Sequence, residues 1–499
     1  MSPLSRLALG LYSALTWAAQ PLLRRKLRRR ALAEPGYGLR VAERFGHYGD
    51  VPVGGHPAPA GPLVWIHAVS LGETRAAAIL LGALRQQLPG MRLLLTHGTA
   101  TGRAEGEKLL QPGDVQVWQP WDTPGAVARF LRHLRPAIGI LMETEVWPNL
   151  IAACRAQGVP LVLANARLND KSLHQAQRMA WLARPAYAAL AAVWAQTEAD
   201  AQRLCSLGAP VQGVFGNLKF DVVPDAAQLA QGRAWRAPLP RPVVLLASSR
   251  EGEEAMWLEN FKPNRPPALA QQAQAATHSI ANEGLIQPNS SPAREEAVPL
   301  QNWMPNQPPA LTDRAQEAID LVALNVPPQP AVQWLIVPRH PQRFDEVAQL
   351  LERAGLRVAR RSQWADGPDA QADVLLGDTL GEMALYYGLA DVALLGGSFA
   401  PLGGQNLIEA AACTCPVVLG PHTFNFAQAA ERACAAGAAQ RVPDMAQAMQ
   451  VATALAHNAT ALAQAQDAAA QFAQAHRGGA QATAQAVAAL LCRDPMALG

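Results

Sequence analysis

Cysteine is sparse, and its spacing excludes more than its number. Cys154, Cys205, Cys413, Cys415, Cys434 and Cys492 are scattered over 499 residues and fall at no metal-ligand interval. A disulfide scaffold and a zinc module are therefore excluded, and a reducing compartment fits best. Cys413 and Cys415 lie in an apolar stretch and read as buried thiols. A strong net charge is missing too, since Lys and Arg exceed Asp and Glu by only 3. A comfortable membrane-spanning run is also lacking at the N-terminus. Leu7–Leu23 (LALGLYSALTWAAQPLL) carries no charge, yet it falls short of the ~20 residues typical of a bilayer span.

The little charge there is sits unevenly. Residues 1–50 hold nine Lys/Arg against three Asp/Glu, so the remainder carries 33 against 36. Arg24-Arg25-Lys26-Leu27-Arg28-Arg29-Arg30 comes directly after the uncharged segment. Basic residues there favour a cytoplasmic location for the rest of the chain and suit lipid phosphates. A cleaved signal peptide fits poorly, because the cluster stands where the mature chain would begin. Membrane attachment is expected, spanning or interfacial. The competing reading is an amphipathic helix packed on the body of the protein.

A chain this long implies more than one core. From residue 63, apolar strands alternate with helical stretches: 63–69, 91–96, 137–142, 160–164 and 192–195, with a helix over 73–88. The pattern restarts with 242–247, 334–337, 356–358, 373–376, 391–395 and 416–419. Continuous apolar strands between helices predict parallel sheets covered on both faces. The reading is α/β, two doubly wound halves with a switch near 217–240, and ligands at the carboxyl ends of the strands, in the cleft between the halves. The expected divisions are 1–30 (anchor and basic cluster), 31–220, 221–445 and 446–499 (C-terminal helices). Residues 258–330, rich in Pro, Gln, Ala and Asn, read as a disordered excursion within the third. A helical patch at 311–324 could dock, and no catalytic role is expected there.

The most informative stretch is VALLGGSFAPLGGQNLIEAAA, residues 392–412. A glycine turn between strand and helix lets backbone N–H groups approach an anion, and Glu409 falls in the first turns of the helix. Glycine turns without ligands are more common. At the end of the first strand, His67-Ala68-Val69-Ser70-Leu71-Gly72-Glu73 puts a carboxylate where it can take a proton from an attacking hydroxyl. The position equally suits a glutamate favoured by the helix macrodipole. That dipole lowers its pKa, so burial or neighbours must compensate for a base. Glu143 and Glu145, alternate residues after another strand, share a face; they hold an acceptor, tune Glu73 or cap a helix. Arg339 ends a strand and suits bidentate phosphate contact, or is a surface arginine. Lys219 lies where the halves join. Ser248–Glu253 resembles a ligand loop, and Asp378–Glu382 a base or ribose pocket.

Eight segments in order resemble the 3-deoxy-D-manno-octulosonic acid (Kdo) transferases of lipopolysaccharide synthesis. They are GLRVAERFGHYG (38–49), WIHAVSLGE (65–73), ETEVWPN (143–149), ANARLNDKS (164–172), GNLKFD (216–221), VPRHPQRF (337–344), DTLGE (378–382) and GGSFAPLGGQNLIEAA (396–411). The resemblance implies a GT-B glycosyltransferase fold of two Rossmann-like domains, with the N-terminal anchor helix added. It implies an acceptor domain at 31–220 and a donor domain at 221–445. The donor is CMP-Kdo and the acceptor the lipid A precursor, lipid IVA, at the cytoplasmic leaflet of the bacterial inner membrane. Glu73 becomes the general base of an inverting transfer, with Glu143 assisting. Arg339, His340, Gly397, Ser398, Gly403, Gly404, Asn406, Glu409, Lys219 and Ser249 become donor contacts. Ser70, Gly72, Glu145 and Arg44 become acceptor contacts. No metal, no other cofactor and no nucleic acid is expected, because a single phosphodiester leaving group can be stabilised by Arg, Lys and helix-terminal N–H groups. Two departures stand out: the long 258–330 stretch, and Ser249-Arg250 where the family more often has Thr-His. Two other readings are a sugar-nucleotide epimerase on the same fold, which has no use for the N-terminal segment, and a non-enzymatic lipid A-binding protein.

Overall fold

The computed structural model describes residues 3–49, 51, 61–261 and 332–492. The expected excursion, with its helical patch at 311–324, lies outside the described residues from 262 onward. The chain divides into two compact units, Met1–Val223 with Ala473–Gly499, and Pro224–Phe472.

The first unit is built on seven strands: β1 Leu63–His67, β2 Arg92–His97, β3 Val115–Trp118, β4 Ile138–Met142, β5 Leu161–Ala166, β6 Ala192–Ala195 and β7 Val211–Val214. Their order is β3-β2-β1-β4-β5-β6-β7, and every pairing is parallel. The order reverses between β1 and β4, where His67 lies opposite Leu141. Their two carboxyl ends therefore open at one topological switch point, the usual ligand position in such sheets. β1 and β4 are buried along their whole length, as strands covered on both faces must be. Trp65 is fully buried, 4.8 Å from Phe130 between ring centroids. Its indole N–H donates to Thr96 Oγ1 at 2.8 Å, so the ring is buried with its polar atom satisfied. The C-terminal helix Gly479–Cys492 belongs to this unit. Its Ala480, Ala484 and Val487 enter the same apolar cluster as Ala76, Ala77 and Leu80. Asp221 caps it by accepting from the N–H groups of Gly478 and Ala480.

The N-terminus forms two helices, α1 (Pro3–Ala18) and α2 (Gln20–Ala33), with Pro21 in the first turn of α2. Among the described residues, no helix is long and apolar enough to cross a membrane. α1 packs by its polar side: Ser13 donates to Asn149 Oδ1 at 2.6 Å. Leu4, Leu7, Leu11, Leu15 and Trp17 point outward, each more than half exposed.

The second unit also has seven strands: β8 Val243–Ser249, β9 Gln333–Pro338, β10 Val358–Arg360, β11 Val374–Leu376, β12 Val392–Leu395, β13 Val417–Leu419 and β14 Ala439–Arg441. Their order is β10-β11-β9-β8-β12-β13-β14, again all parallel. Here the reversal falls between β8 and β12, where Ala247 lies opposite Leu395. The two Rossmann-like units of a GT-B chain are thus both present, each with a switch point of its own.

Candidate active site

Glu73 sits in the first turn of α3 (Leu71–Gln87), whose N-cap is Ser70. The Ser70 hydroxyl accepts from the Glu73 N–H at 3.4 Å and donates to Glu73 Oε1 at 3.1 Å. Glu73 Oε2 accepts from the Val69 N–H at 2.8 Å. The pair is close to a capping box, with the return bond reaching one residue before the cap. A capping glutamate normally has a low pKa, yet here burial dominates and pushes Glu73 up to about 7. Its hydrogen bonds oppose that rise, while Glu143 and Glu145 add to it. The compensation a base requires is therefore present.

The loop that carries Val69 is itself braced. His97 Nδ1 lies 3.0 Å from Ala68 O, and the Thr99 hydroxyl donates to Val69 O at 2.8 Å. His67 is wholly buried, with Nδ1 2.9 Å from Thr96 Oγ1. Burial drops His67 to about 3 and His97 to about 4, so both imidazoles are neutral near pH 7. Gly72 is exposed, and a Cβ there would meet nothing closer than Ser70 Oγ at 4.0 Å.

Glu143 leaves the end of β4 with φ +59, a conformation uncommon for a residue with a Cβ. It is buried and pairs with Arg167 Nε at 2.7 Å. Arg167 leaves β5 and keeps most of its side chain in solvent. Burial also raises Glu145. The structure thus gathers Glu73, Glu143 and Glu145 at the first switch point. Arg44 is different: buried, it donates to Gly98 O at 3.1 Å and stacks over Trp118 at 3.9 Å.

In the second unit, the turns after β8 and β12 meet. Gly396 is required by that approach, since a Cβ would lie 2.3 Å from Ser248 O and 2.6 Å from Ala247 O. Gly397 has φ +71 and Ser248 φ +55. The N–H groups expected to face a ligand are already engaged. Glu253, fully buried, accepts from Gly397 at 2.6 Å, Phe399 at 3.0 Å and Ala400 at 3.3 Å. Ser398 is buried as well; its hydroxyl donates to Leu395 O and accepts from the Gly420 N–H. Ser249 donates to Glu254 Oε1 at 2.6 Å. Glu254 in turn receives both Arg343 terminal nitrogens, at 3.0 and 2.9 Å.

The second glycine pair is buried too: a Cβ on Gly403 would lie 2.4 Å from Asn425 Nδ2, and one on Gly404 3.4 Å from His422 O. Gly404 N–H donates to Gly397 O at 2.7 Å, and Gly403 O accepts from the Asn425 N–H. Asn406 caps the helix Leu407–Ala412 and donates to Glu409 Oε1 at 3.2 Å. Glu409 and Arg339 both act on the buried Tyr387 hydroxyl, Glu409 raising its pKa and Arg339 lowering it. His340, beside Arg339, is pushed below the usual imidazole range by desolvation and by Arg250, Arg339 and Arg343. Glu251 opposes that shift, and two of these arginines carry acidic partners: Arg250 pairs with Glu251 and Arg343 with Glu254, each at 2.9 Å. Asp378 is spent on Arg360 at 2.8 Å and on Ser362. Among the described residues, no three His, Cys, Asp or Glu side chains are grouped to hold a metal.

Residues 39–222 match the family model described as 3-Deoxy-D-manno-octulosonic-acid transferase (kdotransferase). A 3-deoxy-D-manno-octulosonic acid transferase of Bordetella pertussis is 45% identical over 452 residues, covering 89% of this chain and 91% of the relative. The chain belongs to the Kdo transferase family. It is accordingly a glycosyltransferase. The 3-deoxy-D-manno-octulosonic acid transferase of Haemophilus influenzae is 29% identical over 419 residues, with 83% and 82% covered. Among solved structures, the C-terminal CMP-Kdo binding domain of WaaA from Acinetobacter baumannii aligns at 24% identity, covering 50% of this chain and all of that one, with a TM-score of 0.34.

Within this Kdo transferase chain, the expected residues separate by what their side chains touch. Ser70, Gly72, Glu73, Glu143 and Glu145 lie at one switch point. Arg339, His340, Gly403, Gly404, Asn406 and Glu409 lie in the second unit around its glycine turns. Lys219 lies in the first unit, in the 3-10 turn Leu218–Asp221. Arg44, Ser249 and Ser398, expected to touch ligands, are all buried: the two serine hydroxyls are bonded within the fold, while Arg44 donates to Gly98 O and its Nε has no hydrogen-bond partner. Glu253, Glu254 and Arg343 have no expected role as braces. Glu253 falls in the ligand-like Ser248–Glu253 loop and Arg343 in the VPRHPQRF segment, but neither pattern marks a brace.

Proposed function

We propose that the chain transfers Kdo from CMP-Kdo to the lipid A precursor lipid IVA, with inversion at the anomeric carbon. The observation that carries this reading is Glu73, held at a switch point in a member of this family with its pKa pushed up to about 7. A carboxylate of that pKa is a better proton acceptor than an ordinary one, and a large share of it is still ionised near neutral pH. Glu73 takes the proton of the acceptor hydroxyl as that oxygen bonds to the anomeric carbon. The bond to the CMP phosphate breaks, and CMP leaves with the electron pair. Glu143, steadied by Arg167, keeps negative potential around the base and favours its taking the proton. Arg339, His340 and the Gly403-Gly404 turn receive the nucleotide, and the Arg339 charge stabilises the leaving phosphate without a metal. Ser70, Gly72 and Glu145 meet the acceptor.

The same reading puts the enzyme on the cytoplasmic face of the inner membrane. The outward leucine ridge of α1 and the arginines of α2 support interfacial attachment: apolar side chains enter the lipid boundary while cations meet phosphates. The test is incubation of the full-length protein with CMP-Kdo, generated in situ, and the tetraacylated lipid A precursor. A gain of whole Kdo masses in the lipid is the expected result. No gain from a folded, CMP-binding protein would remove this acceptor and favour a lipid A-binding protein without turnover.

A further inference from the structure

Glu253 ends the Ser248–Glu253 loop and is fully buried. It opens the helix Glu253–Asn260 after Gly252 at φ +91. A glutamate in a first helical turn commonly answers its own helix. This one answers a turn 144 residues further along the chain. Oε2 accepts from Gly397 at 2.6 Å and from Arg250 at 2.9 Å, while Oε1 accepts from Phe399 at 3.0 Å and Ala400 at 3.3 Å. Four N–H groups thus surround one buried carboxylate. Backbone amides converging in this way form an anion site, and here the anion is part of the protein.

We propose that Glu253 is a positioning residue for the donor site, holding the turn after β12 by its amides so that the donor phosphate is received by neighbouring side chains. The proposal rests on the donor-binding role given to the second unit above. Two further features support it. Gly396 brings the β12 turn against the backbone of Ala247 and Ser248, so a small change in the turn cannot be absorbed there. Arg250 is fixed at its own N–H by Glu253, and its side chain lies 3.5 Å from where a Gly397 Cβ would be. The carboxylate therefore sets the turn and the start of Arg250 together, beside Arg339 and His340.

Glu253→Gln is the discriminating change, because it is nearly isosteric. Its single carbonyl oxygen can serve only one pair of N–H groups, and its NH2 would face the other pair as a donor facing donors. In the full-length protein, hydrogen exchange at residues 397–400 should quicken about tenfold. CMP should bind about tenfold more weakly, and KM for CMP-Kdo should rise by a similar factor while KM for the lipid acceptor stays unchanged. Glu253→Ala should exceed all three effects; if it does not fold, the Gln variant alone decides. A folded Gln variant with wild-type exchange overturns the proposal. So does faster exchange with unchanged CMP affinity, or an equal rise in both KM values, which marks general loosening. If wild type binds neither CMP nor CMP-Kdo, the donor reading has failed, and exchange still decides whether Glu253 holds the turn.

Discussion

Replacing Glu73 by glutamine should stabilise the protein increasingly as pH rises. Folding lifts the Glu73 pKa from 4.5 to about 7, with burial the largest cause. At about 1.4 kcal/mol per pH unit, the folded state prefers the protonated carboxyl by roughly 3 kcal/mol. Linkage fixes the sign. A raised folded pKa gives a contribution complete below about 4.5 and lost as pH rises through about 7. Glutamine still offers an acceptor to the Val69 N–H and has no proton to lose. The gap in unfolding free energy between Glu73→Gln and wild type should therefore widen by roughly 2 kcal/mol between about pH 5 and about pH 8.5. Urea unfolding monitored on the first unit's transition reads this directly, and other titrating groups cancel in the difference. A gap that does not change with pH would refute the claim that burial sets this carboxylate's pKa. The same shift predicts a wild-type transfer rate that climbs as pH passes through about 7.

Three further changes test the framework. Arg343→Met leaves Glu254 buried without its partner and should cost roughly 3–5 kcal/mol; adding Glu254→Gln should recover part of that loss in the same urea assay. Gly396→Ala forces a Cβ to within 2.3 Å of Ser248 O and should lower the second unit's melting temperature, by circular dichroism, as an overpacked site does. Gly72→Ala meets no atom closer than 4.0 Å, so melting should be unchanged and transfer should fall where the acceptor approaches. Full activity would remove Gly72 from the acceptor site.

The sequence is most legible where burial is two-sided. β1, β4, β8 and β12 are continuous apolar runs because helices cover both faces of each sheet, and the switch-point loops after them are legible with them. β3, β7 and β14 are not. They lie at sheet edges, and each carries a glutamine and half-exposed positions that break an apolar run. The candidate carboxylates are readable from their place after strands, but the pKa of Glu73 is not, since it depends on burial and on Glu143 and Glu145, distant in sequence. The glycine turn reads as a close approach, and it is one, but to a different neighbour: Gly396 admits the backbone at Ser248, and its loop's amides are met by Glu253. A carboxylate that satisfies N–H groups so distant in sequence leaves no local pattern. Arg44, Ser249 and Ser398 look alike in sequence whether they face solvent or the interior.

The measurement that bears most directly on the central claim is the Kdo transfer rate of Glu73→Gln at saturating CMP-Kdo, with CMP affinity measured on the same sample. Loss of a positioned general base predicts a rate lower by about 10²- to 10⁴-fold, with CMP affinity unchanged because Glu73 lies in the other unit from the proposed nucleotide site. A rate near that of wild type would contradict the account and leave Glu73 a helix-capping residue.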